Sequence, residues 1–219
     1  MNVMIFGATG MVGQGVLREC LHDTQVTQVL TVGRNATGTR HAKLRELVHA
    51  NLFDYAGFDH ALSGFDACFF CLGVSSARMA ERDYARLTYD LTLTAAEALA
   101  RLNPQMTFVY VSGAGTDSTE QGRSMWARVK GKTENALLKL PFKAAFMFRP
   151  GVIQPLHGIR SKTRLYQAFY SFLGPVLTLA RAIAPKYVTT TEQVGRAMIA
   201  VARQGYPKPI LEAPDINSL

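Results

Sequence analysis

With 219 residues, 48% of them hydrophobic and 18% charged, the chain is long and apolar enough to bury the core of one α/β domain. Three cysteines are too few for a disulfide framework, and an apolar start only a strand long with no basic region before it points away from a secretory signal, so a cytoplasmic protein is expected. The net charge of +8 is diffuse, in small groups such as Arg78, Arg82 and Arg86 without helix-turn-helix, zinc or ribonucleoprotein motifs, which argues against nucleic acid.

In chain order, the apolar run Val3-Met4-Ile5-Phe6 reads as a strand that feeds Gly7-Ala8-Thr9-Gly10-Met11-Val12-Gly13, and residues 16–21 recur at helical spacing. Glycine at 7 permits a tight turn, glycine at 10 lets the backbone approach a pyrophosphate, and glycine at 13 lets the helix pack near the strand. A second strand at residues 29–32 closes a strand-helix-strand unit of about 30 residues, the context in which this glycine pattern points to a dinucleotide. The residue after that strand selects the dinucleotide: an acid bonds a free ribose 2′-hydroxyl, whereas a 2′-phosphate attracts arginine. Here Gly33-Arg34 stands there, with Arg40 and Lys43 a few residues on, so NADP is favoured over NAD.

Alternation of strand and helix continues. Residues 47–49 read as a third strand ending at Asn51-Leu52-Phe53-Asp54, residues 67–72 as a fourth, 82–102 as a helix, 107–111 as a fifth strand, 126–138 as a helix and 144–149 as a sixth strand. This pattern predicts an α/β fold, a doubly wound parallel sheet with helices on both faces, over one domain spanning residues 1–219. Cys68 and Cys71 form a C-x-x-C, but residues three apart on a strand point to opposite faces, so both read as core rather than as a metal or redox pair, and no metal site is expected. The most apolar stretch, residues 165–185, is broken by Gly174-Pro175 and carries Arg181, which disfavours a membrane span. Residues 152–190 are instead expected to form a small substrate-side or partner-facing insertion in the C-terminal region. An amphipathic helix at 195–203 follows, with Thr191 as a cap.

Small residues punctuate the strand ends: Gly7 to Gly13, Gly33-Arg34, Gly73-Val74-Ser75-Ser76, Ser112-Gly113-Ala114-Gly115 and Pro150-Gly151-Val152. In a parallel sheet the ligand lies beyond the carboxyl ends of the strands, so these segments are expected to share one site.

The glycine motif, Arg34, Leu72-Gly73, Val111-Ser112, Lys130 and Arg149-Pro150-Gly151 together resemble the short-chain dehydrogenase/reductase superfamily over nearly the whole length, in its atypical branch. Within that branch, Arg128-Val129-Lys130-Gly131-Lys132-Thr133-Glu134, Phe148-Arg149-Pro150-Gly151-Val152 and Ile210-Leu211-Glu212-Ala213-Pro214-Asp215-Ile216 are most similar to the Tat-interacting-protein oxidoreductase group and its bacterial relatives. The resemblance implies Gly7, Thr9, Gly10, Met11, Val12 and Gly13 at the pyrophosphate and Arg34 at the adenosine 2′-phosphate. It further implies Asn51 and Leu52 beside adenine, Leu72 and Gly73 at the ribose, and Ser112, Lys130, Pro150, Gly151 and Val152 at the nicotinamide half.

Catalytic members of that superfamily pair a serine, here Ser112, with Tyr-x-x-x-Lys on the following helix, here ending in Lys130. The lysine favours the phenolate so that the tyrosine can exchange a proton with substrate. The tyrosine position is Trp126, whose indole donates a hydrogen bond but does not ionise near neutral pH. Ser112 and Lys130 therefore remain as catalytic candidates without their usual proton donor. Two readings stay open: an oxidoreductase that draws its proton from elsewhere, with Tyr84, Tyr89, His157 or water as candidates, or a non-catalytic NADP(H) sensor that reports to a protein partner. A nucleoside-sugar epimerase is a weaker third, because it too normally needs the tyrosine.

Overall fold

A computed structural model of the protein describes residues 1–159 and 188–219. Strands β1 (Asn2–Phe6), β2 (Gln28–Gly33), β3 (Leu44–Val48), β4 (Ala67–Phe70), β5 (Thr107–Val111) and β6 (Ala144–Arg149) follow the predicted series, and a late strand, Ile210–Glu212, joins them. All seven form one sheet in the order β3-β2-β1-β4-β5-β6 and then the late strand, with every pairing parallel. The order reverses between β1 and β4, which opens a crevice at their carboxyl ends. A separate pair, β7 (Val152–Gln154) and β8 (Val188–Thr190), makes a two-stranded parallel sheet. The late strand is accordingly β9.

The central strands read as unbroken apolar runs because helices cover both faces. Val3 and Ile5 of β1 face a cluster containing Val16, Leu17 and Cys20 of α1 (Met11–His22), together with Val194, Ala197 and Met198 from the helix at Thr191–Gln204. Met4 and Phe6 face the opposite cluster, with Leu91, Ala95 and Leu99. Three of those core residues belong to a helical segment that begins as α3 (Glu81–Ala85) after the short α2 (Asp59–Leu62), widens to a π-turn at Arg86–Asp90 and ends as α4 (Leu91–Leu102). The expected single helix at 82–102 is thus present with a register change inside it, a feature that apolar spacing does not reveal. The fold is a Rossmann-like sandwich of helix, sheet and helix, completed by α5 (Met125–Leu137), α6 (Thr191–Gln204) and α7 (Ala213–Asn217).

Several boundaries move. The third strand lies at Leu44–Val48 rather than 47–49, paired with β2 from Val29↔Leu44 to Gly33↔Val48, and the fourth stops at Phe70. Thr190 caps α6, its side chain accepting from the Gln193 N–H, where Thr191 had been expected; Thr191 Oγ1 instead accepts from the Leu156 N–H. Cys68 packs with the α4-side cluster and Cys71 against the α1-side cluster, on opposite faces as expected, and burial pushes both thiols up. The apolar stretch at 165–185 lies outside the described residues. Among the described residues no helix is long and apolar enough to cross a membrane.

Candidate functional site

At the reversal point the carboxyl ends of β1, β2, β4, β5 and β6 open into one cleft of about 540 Å³. Its floor is the turn after β1. Gly7 adopts φ +77°, and a Cβ there would stand 2.7 Å from the Leu72 nitrogen and 2.8 Å from the Cys71 carbonyl. A side chain at Gly13 would meet the Gly7 carbonyl oxygen at 2.1 Å, so these two glycines let α1 start hard against the turn. The Gly10 N–H closes the turn on the Gly7 carbonyl at 2.9 Å. The first-turn amides of α1 are left to other acceptors: no side chain caps that end, and its first turn carries no acid. Exposed amides and the positive end of a helix form a cradle for phosphate, which fits the pyrophosphate of a dinucleotide.

Thr9, Gly10, Met11 and Val12 line this cleft; Gly13 stands behind the turn as a packing residue. Arg34 lines the far end with Asn35, Thr37 and Glu46, and has no ion pair among the described residues. Lys43, expected to support it, instead donates from Nζ to the Leu21 and Asp23 carbonyls (3.2 and 2.6 Å), which satisfies the end of α1. Leu52 lines the cleft, whereas Asn51 turns its carboxamide oxygen to the Phe53 N–H at 3.2 Å and is not among the lining residues. Leu72 and Gly73 line it in the middle. At the near end stand Ser112, Lys130, Pro150 and Gly151; Val152 lies beyond them in β7, and its neighbour Ile153 takes the lining position.

The near end is built from side chains already committed to one another. The Ser112 hydroxyl donates to Glu134 Oε1 at 2.5 Å and lies 3.1 Å from the Phe148 carbonyl. Glu134 is fully buried and also receives Arg149, through Nε at 3.0 Å to Oε1 and through Nη2 to Oε2. Arg149 reaches on to Ser118 Oγ at 2.6 Å and Glu212 at 3.4 Å. Lys130, one helical turn before Glu134, donates from Nζ to the Ser112 carbonyl. Burial pulls the Lys130 ammonium down to about 8, against the Glu134 carboxylate, which acts to raise it. A buried carboxylate shared by a guanidinium and a hydroxyl fixes the ends of β5 and β6 together, and with them the wall of the cleft.

Trp126 does not line the cleft. Its ring lies over Gly115, 3.6 Å from where a Cβ would stand. None of the candidate proton donors lines it either: Tyr84 is buried in the core, Tyr89 lies under the Lys132 ammonium at 4.6 Å, and His157 Nε2 pairs with Glu192 at 2.6 Å. The Glu134–Arg149 pair and the Thr37–Glu46 contact were not assigned roles from the sequence. The signal for Glu134 was present in its spacing of four from Lys130, which puts both on one helix face; Glu46 had no local signal, because its partner is nine residues away across a loop.

A parallel sheet of this order with a glycine-turn cradle at its switch point defines a Rossmann-like protein with a site suited to a dinucleotide. A family model described as NAD(P)H-binding matches residues 7–139, and the chain belongs to that family. It is 29% identical to the protein HTATIP2 of Rattus norvegicus over 155 residues, 69% of this chain and 62% of that protein. It is 27% identical to the protein fmp52, mitochondrial, of Emericella nidulans over 206 residues, 90% of this chain and 85% of that protein. The enzyme WbmF of Bordetella bronchiseptica, solved in complex with NAD+, shares the fold at a TM-score of 0.66 and 15% identity, covering 99% of this chain and 76% of WbmF. The expectation of a cytoplasmic protein is corrected by the fungal relatives, which are named mitochondrial in Emericella nidulans and in other species. A strand-length apolar start speaks only to secretory signals and carries no information on that address.

Proposed function

We propose that the chain binds NADP(H) and acts as an atypical oxidoreductase that does not use the superfamily's tyrosine. The observation that carries this reading is one cleft along which Arg34, with no ion pair among the described residues, then an uncapped helix start and then Lys130 follow one another, the order in which a dinucleotide carries its adenosine 2′-phosphate, pyrophosphate and nicotinamide ribose. A bound nicotinamide dinucleotide supplies hydride chemistry. The chain's own residues bind and orient: the Met11 and Val12 amides meet phosphate oxygens, and Arg34 forks onto a 2′-phosphate or stacks on adenine. Leu52 and Val48 flank the base, Lys130 bonds ribose hydroxyls, and Pro150 and Gly151 shape the nicotinamide end. With Trp126 unable to ionise and set apart over Gly115, the product's proton comes from solvent, which suits an activated double bond or a quinone better than a plain carbonyl.

One observation favours a second reading, a non-catalytic NADP(H) sensor that binds a protein partner. The Ser112 hydroxyl, which in a catalytic member faces the substrate oxygen, is given to Glu134 here. Purified protein mixed with NADPH and a panel of carbonyls and quinones separates the two, with affinity measured alongside. Oxidation of NADPH that survives Trp126→Phe supports the oxidoreductase; tight binding with no oxidation across the panel supports the sensor. A failure to bind either dinucleotide overturns both.

A further inference from the structure

The adenosine end of the cleft holds two opposite charges, and only one of them has a role in the cofactor reading. Glu46 lies on β3, opposite Thr31 of β2, and lines the cleft with Arg34, Asn35 and Thr37. Its Oε1 accepts from the Thr37 N–H at 2.8 Å and from the Thr37 hydroxyl, so the carboxylate is anchored to the loop that carries Arg34. Its other oxygen, Oε2, has no protein partner among the described residues, and Glu46 forms no ion pair with Arg34. A carboxylate oxygen is a strong acceptor for a hydroxyl and repels a phosphate dianion at the same place. We propose that Glu46 is a specificity-determining residue that works against Arg34: it accepts from the ribose 2′-hydroxyl of NAD(H) and repels the 2′-phosphate of NADP(H), so that the site takes both dinucleotides and Glu46 sets their ratio. The inference rests on the cofactor reading above and adds a second determinant to it.

Thr37 sets the geometry. Because both Thr37 donors use Oε1, the carboxylate is held on the loop while Oε2 is left for ligand, and glutamine at 46 can keep the anchoring oxygen while losing the charge. The test titrates the full chain with four ligands: NADPH, NADH, and the adenosine fragments 2′,5′-ADP and 5′-AMP. In Glu46→Gln, affinity for NADPH and for 2′,5′-ADP rises roughly fivefold while that for NADH and 5′-AMP is unchanged or weaker, a size expected of one exposed charge facing a dianion. Glu46→Asp, which keeps the charge, returns the ratio toward that of the parent chain. Equal changes for the phosphorylated and unphosphorylated ligands in Glu46→Gln would show that Glu46 only shapes the loop, and the inference falls. Arg34→Ala in the same series separates the two claims: if it lowers the NADPH to NADH preference while Glu46→Gln does nothing, the cofactor reading stands and the inference fails. If Arg34→Ala leaves the preference untouched, the cofactor reading itself is wrong. A thermal melt of each variant without ligand checks that all are folded.

Discussion

The two halves of the cleft are made differently. The pyrophosphate end is backbone: a turn that only glycine can make at position 7, a helix start pressed against it through Gly13, and first-turn amides that no side chain caps. The nicotinamide end is side chain on side chain, where Ser112, Glu134, Arg149 and Lys130 satisfy one another before any ligand arrives. In the first half no side chain among the described residues caps the helix start; in the second, the serine and the lysine each already have a partner. In the proposed function the backbone end anchors the dinucleotide, and chemistry at the other end depends on freeing the serine hydroxyl and the lysine from these partners.

Replacing Glu134 with alanine produces the largest effect, because it leaves the buried Arg149 with Glu212 at 3.4 Å as its remaining carboxylate among the described residues, beside the Ser118 hydroxyl, and releases the Ser112 hydroxyl. A loss of about 3–5 kcal/mol in chemical denaturation is expected, the scale for breaking a buried ion pair by removing one partner. A loss under about 1 kcal/mol would show that the nicotinamide wall does not depend on this network. On the other side of the comparison, Gly13→Ala forces its methyl into the Gly7 carbonyl, with an expected destabilisation of about 1–3 kcal/mol. Here the diagnostic is binding: dinucleotide affinity disappears in Gly13→Ala even under conditions where the variant is folded.

Lys130 lets pH distinguish the halves. Burial lowers its folded-state value from 10.5 to about 8, so the penalty for keeping it charged is present in full below about pH 8 and is relieved as pH rises from there towards 10.5. Stability without ligand therefore gains from this group over that alkaline window. NADPH affinity moves the other way, falling above about pH 8 as the ammonium that bonds the ribose is lost. Lys130→Met removes both trends, and calorimetric titrations at several pH values report them separately. An affinity profile unchanged by Lys130→Met would place the lysine outside the ligand's reach. Smallest of all, Trp126→Phe changes NADPH affinity by less than about twofold, since the indole lies over Gly115 and away from the cleft.

What was legible in the sequence follows the same division. The strand series, the glycine cradle and Arg34 are written in short-range patterns, in which an apolar run, a turn and a helix start succeed one another within a dozen or so residues. The six strand ends were therefore placed well, although β3 began three residues earlier than expected because its exposed edge position gives it little apolar signal. Partnerships across the fold were not legible. Ser112 was recognised by position, but that its hydroxyl turns to Glu134 depends on how β5 and α5 pack. Lys43 was counted with Arg40 in the basic surroundings of Arg34 because a basic residue after a strand looks the same whether it faces a phosphate or the carbonyls at the end of α1. Thr190 and Thr191 differ by one position, and only the backbone geometry decides which one caps. The π-turn at Arg86–Asp90 likewise leaves no trace in the spacing of its apolar residues.

The proposed function has this cleft hold a dinucleotide and Arg34 read its 2′-phosphate. Its most direct test is a titration of the full chain with NADPH and NADH, repeated in Arg34→Ala. NADPH is expected to bind more tightly than NADH, with a preference that falls roughly tenfold in the variant and an NADH affinity little changed. Equal affinity for the two dinucleotides in the parent chain, or an equal loss of both in Arg34→Ala, would contradict it.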